Sequence, residues 1–213
     1  PPLPDAPAIR ERPLAEPASS AEICEYSVLL SRNGSILEAL GLLKTVNAET
    51  APEALLYQGF CHVSQWNYQK AAVCFEEFLA TNSDSYSKLI ARVNLAAAYV
   101  SHLQLDKAEC LLAEIIGLAE EANATRLVGN GYELLGQVEF FRGDFDRARV
   151  QLSRALDVFG KSGSYDQLLI YKWQSTMKAI EEKSIAPLLQ FREDAVARKH
   201  WESVRDTDFY QLK

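Results

Sequence analysis

The sequence predicts an all-α fold, a solenoid of about five antiparallel helix hairpins, and three observations carry that prediction. Apolar residues recur at helical spacing, as in Leu37, Leu40, Leu43 and Val46, or in Leu111, Leu112, Ile115, Ile116 and Leu118. No segment of comparable length alternates with the period of two that a half-buried strand requires. Short polar turns interrupt the helical pattern at Arg32-Asn33-Gly34, Gln65-Trp66-Asn67, Leu103-Gln104, Arg142-Gly143 and Glu182-Lys183, and behind them small residues return in phase. Ala71, Ala108 and Ala148 each stand three residues after a large apolar one (Tyr68, Leu105, Phe145), at intervals of 37 and 40 residues, which is the mark of an internal repeat.

Residues 1–18 hold six of the eight prolines (Pro1, Pro2, Pro4, Pro7, Pro13 and Pro17) and few large apolar side chains, so this stretch is expected to be a disordered linker. From Ser19 to about residue 205 only Pro52 and Pro187 remain, and this span reads as the helical repeat domain. Its first unit carries Ile23, Ser27, Ile36, Ala39 and Leu43. The second carries Leu55, Gly59, Tyr68, Ala71 and Phe75, with Phe78 where a small residue is expected. Ala96, Tyr99, Leu105, Ala108 and Leu112 mark the third, and Trp173, Ile185, Leu188 and Ala195 the fifth. The C-terminal stretch ARKHWESVRDTDFYQLK is expected to continue the last helix. It ends on Phe209, Tyr210 and Leu212 without the polar outer face of a terminal cap, so residues 206–213 are expected to open a further helix or a linker to another domain. A start at Pro1, with Met177 as the single methionine, likewise suggests a piece of a longer chain.

The fourth unit is the most regular. In GNGYELLGQVEFFRGDFDRARVQLSRAL, Tyr132, Leu135-Gly136, Gly143-Asp144-Phe145, Ala148, Leu152 and Ala155 together resemble a tetratricopeptide repeat. The second and third units share the pattern in phase, and the outer two share it more loosely, so the resemblance covers roughly residues 20 to 200. It implies a right-handed superhelix of helix hairpins that binds protein partners. Units of 37 and 40 residues exceed the usual ~34 and imply helices about a turn longer. The physical need behind the pattern is close approach: small residues at Gly59, Ala96 and Gly136 on first helices are expected against Ala71, Ala108 and Ala148 on second helices, with large residues filling the remaining space. A single hairpin leaves an apolar face bare, so neighbours must stack.

Composition narrows the function classes. Of 213 residues, 48% are hydrophobic and 24% charged, as in a soluble globular protein, and the net charge of −7 offers no field to gather nucleic acid or anionic lipid. A basic partner suits that charge better. No apolar run is long enough to span a membrane and no signal peptide is present, so a cytoplasmic location is expected. Cys24, Cys61, Cys74 and Cys110 sit apart in apolar helical pattern and read as buried small hydrophobes in a reducing compartment, although Cys61 and Cys74 can approach across one hairpin.

No catalytic or metal-binding pattern emerges, and neither a cofactor nor a metal is expected. The three histidines His62, His102 and His200 lie far apart, and His62 reads as a hydrogen-bonded structural residue. Glu76-Glu77, Glu120-Glu121 and Glu181-Glu182 are adjacent pairs, which diverge on a helix and so suit solvated faces rather than paired acid and base. Arg142, Arg147, Arg149 and Arg154 alternate with Asp144, Asp146 and Asp157 and are expected to form a local salt-bridge lattice.

The resemblance further implies that the first helix of each unit lines a concave groove. Projected onto this chain, the groove carries Leu56, Phe60 and Val63, then Val93, Asn94, Ala97 and Val100, then Glu133, Gln137 and Phe140, and then Trp173, Met177 and Ile180. Relatives that clamp an acidic chaperone tail use cations and Asn at sites where this chain has Asn94 but also Leu56, Phe60, Asn130 and Leu134, so that ligand is not expected. The expected function is a noncatalytic interaction module, with Asn94 and Gln137 on the partner's backbone and Phe60, Phe140, Trp173 and Met177 as anchors for a peptide or amphipathic helix. The alternative is a sensory domain of a larger signalling or transcription-control protein that binds a small ligand or peptide. The ends of the solenoid also offer a route to a homo-oligomer.

Overall fold

Every turn that the spacing predicts is a helix boundary in the computed structural model, which describes residues 18–81, 83–160 and 165–211. The proline-rich stretch up to residue 17 lies outside the described residues. The chain forms α1 (Ser20–Arg32), α2 (Ile36–Leu43), α3 (Glu53–Ser64), α4 (Tyr68–Leu79), α5 (Ser85–Ser101), α6 (Leu105–Glu121), α7 (Thr125–Arg142), α8 (Phe145–Phe159), α9 (Tyr165–Glu182), α10 (Ala186–Ala197) and α11 (Trp201–Gln211). Among the described residues there is no strand. Each helix packs on its successor, and the substantial next-but-one contacts join α1 to α3, α5 to α7, α7 to α9, and α9 to α11. Most neighbouring odd-numbered helices therefore touch one another, α3 and α5 being the exception.

One device turns the chain repeatedly. At Gly34, Trp66, Leu103, Asn123, Gly143, Lys183 and Lys199 the backbone takes a positive φ directly after a helix end. The next N–H then reaches back five residues, as in Asn67 to His62 O at 2.9 Å, Gln104 to Tyr99 O at 2.8 Å and Asp144 to Glu139 O at 3.0 Å. This closure satisfies carbonyls that the helix end leaves open. Several of the following helices then start on a capping side chain, with Asn67 accepting from Lys70 N and Asp144 from Arg147 N. At the N-terminal edge, Ser19 and Glu22 form a reciprocal capping box.

The small residues sit where the repeat needs them. Ala39, Ala71, Ala108 and Ala148 have no exposed surface, and Leu188 in the fifth unit is buried too. The close approaches differ from expectation in one respect. A Cβ on Gly59 would lie 2.4 Å from the Phe75 ring, and one on Gly136 would lie 2.7 Å from Leu152, so each glycine admits the large residue one turn beyond the alanine. Gly129 and Gly131 do the same for Phe159 and Ile116, which seats α7 against both neighbours.

Three expectations are corrected. The C-terminal stretch does not continue the last helix: α10 stops at Ala197, Lys199 turns the chain, and α11 starts afresh at Trp201, with His200 Nδ1 2.8 Å from Ser203 Oγ. α11 then runs through residue 206 without a break. Cys24, Cys61 and Cys74 are buried free thiols, but Cys110 is exposed, because it falls between the inward positions Ala108 and Leu112 on α6. Burial pushes the Cys74 thiol up to about 11, which keeps it protonated and inert. His62 is buried as expected, yet its Nδ1 has no hydrogen-bond partner, and burial together with Lys70 and Lys44 holds its pKa low.

The arginine lattice is wider than its local sequence. Arg147 and Arg149 pair with Asp144 and Asp146 on their own helix end. Arg142 bridges back to Asp106 at 2.7 Å and Glu109 at 2.8 Å on α6, and Arg149 reaches Glu181 on α9. Exposed pairs of this kind contribute only about 0–1 kcal/mol each, so they fix the register of stacked helices more than they stabilise them.

Candidate functional site: a tryptophan-lined cavity

The three tryptophans of the chain stand far apart in sequence but line one cavity of about 1110 Å³. Trp66 is placed by the α3–α4 turn, where φ is 62° and the residue is 52% exposed. Equivalent turn positions in the first and fourth units hold Gly34 and Gly143, which take this conformation without strain. A bulky side chain there costs on the order of 1–2 kcal/mol. Trp201 opens α11 and is 64% exposed. Trp173 lies on α9 and is almost fully buried.

Hydrogen bonds fix the inner wall. Trp173 Nε1 donates to Glu133 Oε1 at 3.0 Å, and Gln137 Nε2 donates to the same oxygen at 2.7 Å. Gln137 and Trp173 face the cavity, while Glu133 sits behind them. Burial pushes the Glu133 carboxyl pKa up, and the Gln137 hydrogen bond, the charge of Lys172 and the Trp173 hydrogen bond oppose that shift. Phe141 meets the Trp173 ring edge-on at 5.7 Å, an arrangement that favours a rigid wall.

Three charged residues also line the cavity. Lys172 Nζ lies 3.0 Å from Asp206 Oδ2, and Arg205 Nη2 lies 3.1 Å from Asp206 Oδ1. The Lys172 ammonium sits 5.3 Å from the Trp173 ring centre, and the Arg205 guanidinium sits 5.9 Å from that of Trp66. This last contact brings α11 to the α3–α4 turn across the cavity. With two cations and one carboxylate, the described lining carries one net positive charge.

The groove residues expected from the repeat are distributed unevenly around this site. Val63, Gln137 and Trp173 line the cavity. Leu56 and Phe60 pack in the core between α3, α4 and α5, and Val93 and Ala97 pack between α5, α6 and α7. The Asn94 side chain donates to Ile90 O at 2.8 Å, one turn back on its own helix. Phe140 stacks on Phe145 at 5.4 Å, and Met177 has no exposed surface in the core of α8 and α9. Ile180 is half exposed near the far end of α9. Lys172, Trp66, Phe141, Trp201, Arg205 and Asp206 were not expected at a site. The one sequence signal for any of them was a tryptophan in a turn where the first and fourth units carry glycine.

Fold and cavity together are those of an all-helical, repeat-like array of packed helices with an aromatic-lined cavity. No protein-family model matches the chain, and no curated protein matches it. Among the described residues no helix is long and apolar enough to cross a membrane, and no group of three or more His, Cys, Asp or Glu is arranged to hold a metal.

Proposed function

We propose that the chain is a noncatalytic interaction module of tetratricopeptide type, a right-handed superhelix of five hairpins with α11 as a terminal helix, which binds a short peptide of a partner protein in its tryptophan-lined cavity. The observation that carries this reading is the convergence of Trp66, Trp173 and Trp201 from separate units on one cavity. Trp66 and Trp201 are each more than half exposed, and tryptophan is enriched where binding energy concentrates. At about 1110 Å³ the cavity exceeds the ~300–1,000 Å³ of small-molecule pockets. A few residues of extended chain suit that volume better than a long amphipathic helix does. Val63, Gln137 and Trp173 remain as contact residues from the repeat pattern, joined by Trp66, Phe141 and Trp201.

The sensory alternative gains support from one contact. Arg205 over Trp66 ties the last helix to the second hairpin across the cavity, so a ligand entering there acts on the curvature of the whole array.

Selection of peptides from a random display library tests the proposal. Peptides enriched on the wild-type chain should bind Trp201→Ala at least about tenfold more weakly, with far-UV circular dichroism unchanged. Enriched peptides indifferent to both Trp201→Ala and Phe141→Ala would remove the cavity as the binding site.

A further inference from the structure

The charges already seated on the tryptophan rings decide what kind of ligand the cavity accepts. Building on the peptide-site reading above, we propose that the cavity selects anionic ligands: a short segment carrying an Asp or Glu side chain between apolar residues, with its carboxylate drawn to Arg205 and its apolar side chains against Trp66 and Trp201.

An aromatic box suggests a cationic guest, because ring faces attract ammonium and guanidinium groups. Here the protein supplies those cations itself. Lys172 lies over Trp173 and Arg205 over Trp66, at 5.3 and 5.9 Å from the ring centres. A guest cation would meet two like charges at the faces it needs. Asp206 gives it no counter-charge, since Lys172 engages its Oδ2 and Arg205 its Oδ1, and it is the one carboxylate among the described lining residues. Glu133 is no substitute, for it is buried behind Trp173 and already accepts two N–H groups.

For an anion the same arrangement is favourable. The Arg205 side chain is 62% exposed, and a guanidinium has five donors in a planar fork. Two of its nitrogens point to a single oxygen of Asp206. The net charge of −7 favours a basic partner at long range. At ~0.1 M salt, however, screening confines charges to about 10 Å, and the lining decides.

Tryptophan fluorescence of the 213-residue chain tests the inference, because all three emitters line the cavity. The probes are three acetylated and amidated hexapeptides: Leu-Phe-Asp-Asp-Phe-Leu, its Asn-Asn analogue and its Lys-Lys analogue. The Asp peptide should bind at least about tenfold more tightly than the Lys peptide, with the Asn peptide between them. Arg205→Gln, at an exposed position, should shrink that ratio, and Asp206→Asn should enlarge it. Equal binding of all three peptides, or tightest binding of the Lys peptide, would overturn the charge selection and leave the peptide site standing. Should calorimetry show no binding of any of the three, the peptide-site reading falls together with the inference.

Discussion

Glu133 is the residue whose environment departs furthest from what its type prefers. Its carboxyl is buried in the α7–α9 contact, and desolvation raises its pKa above the ordinary 4.5. The folded chain therefore binds a proton there more readily than the unfolded chain does. The stability this confers is complete below pH 4.5 and is lost as pH rises through the folded pKa. Glu133→Gln keeps an oxygen for Trp173 Nε1 and Gln137 Nε2 and removes the buried charge. The variant should gain on the order of 1 kcal/mol at about pH 8, with the gain fading toward about pH 4. Urea unfolding at the two pH values measures it, and a gain independent of pH would contradict this account. His62 acts in the opposite sense: its lowered pKa confers stability above 6.5 that is lost as pH falls below that value.

The turn is the unit of architecture at the level of the element. Repeated closures of the same type follow helix ends, yet Trp66, Leu103, Asn123, Lys183 and Lys199 adopt a conformation that glycine adopts without cost. Leu103 is 63% exposed, so its side chain gives little packing in return. Leu103→Gly should therefore stabilise the protein by about 1 kcal/mol, and Gly143→Ala should destabilise it by a similar amount, as read from thermal midpoints. A lower midpoint for Leu103→Gly would mean that the exposed leucine packs in a way its accessibility does not show. The turns at Gly34, Trp66, Leu103, Gly143 and Lys183 were legible in the sequence because they are local, a polar break with a small residue in phase behind it, whereas the one at Asn123 was not among those expected. The start of α11 was not legible, since Arg198-Lys199-His200 carries neither glycine nor proline to announce a stop.

Across the whole molecule, contacts run between successive helices and between most neighbouring odd-numbered ones, so stability is expected to vary along the array. α7 is the most closely seated, with Gly129, Gly131 and Gly136 admitting side chains from both adjacent helices. Native-state hydrogen exchange should find the slowest amides in α7 and α8 and faster ones in α1, α2 and α11. Uniform protection from end to end would show that the array opens as one cooperative unit. The depth at which the projected residues lie was only partly legible for a related reason. Projecting a repeat onto Leu56, Phe60, Val93 and Met177 selects residues on the inner helices, but how deeply each is covered depends on how tightly the next hairpin closes over it.

By itself the sequence determined the helical class, the hairpin turns and the buried alanine positions, because each rests on spacing within a few turns of one helix or across one hairpin. Only the tertiary structure decided the cavity. Trp66 and Arg205 belong to the second hairpin and the last helix, and their approach to 5.9 Å depends on how all the helices between them pack. A contact between positions so far apart leaves no trace in local residue spacing, so the cavity had to be read from the folded chain.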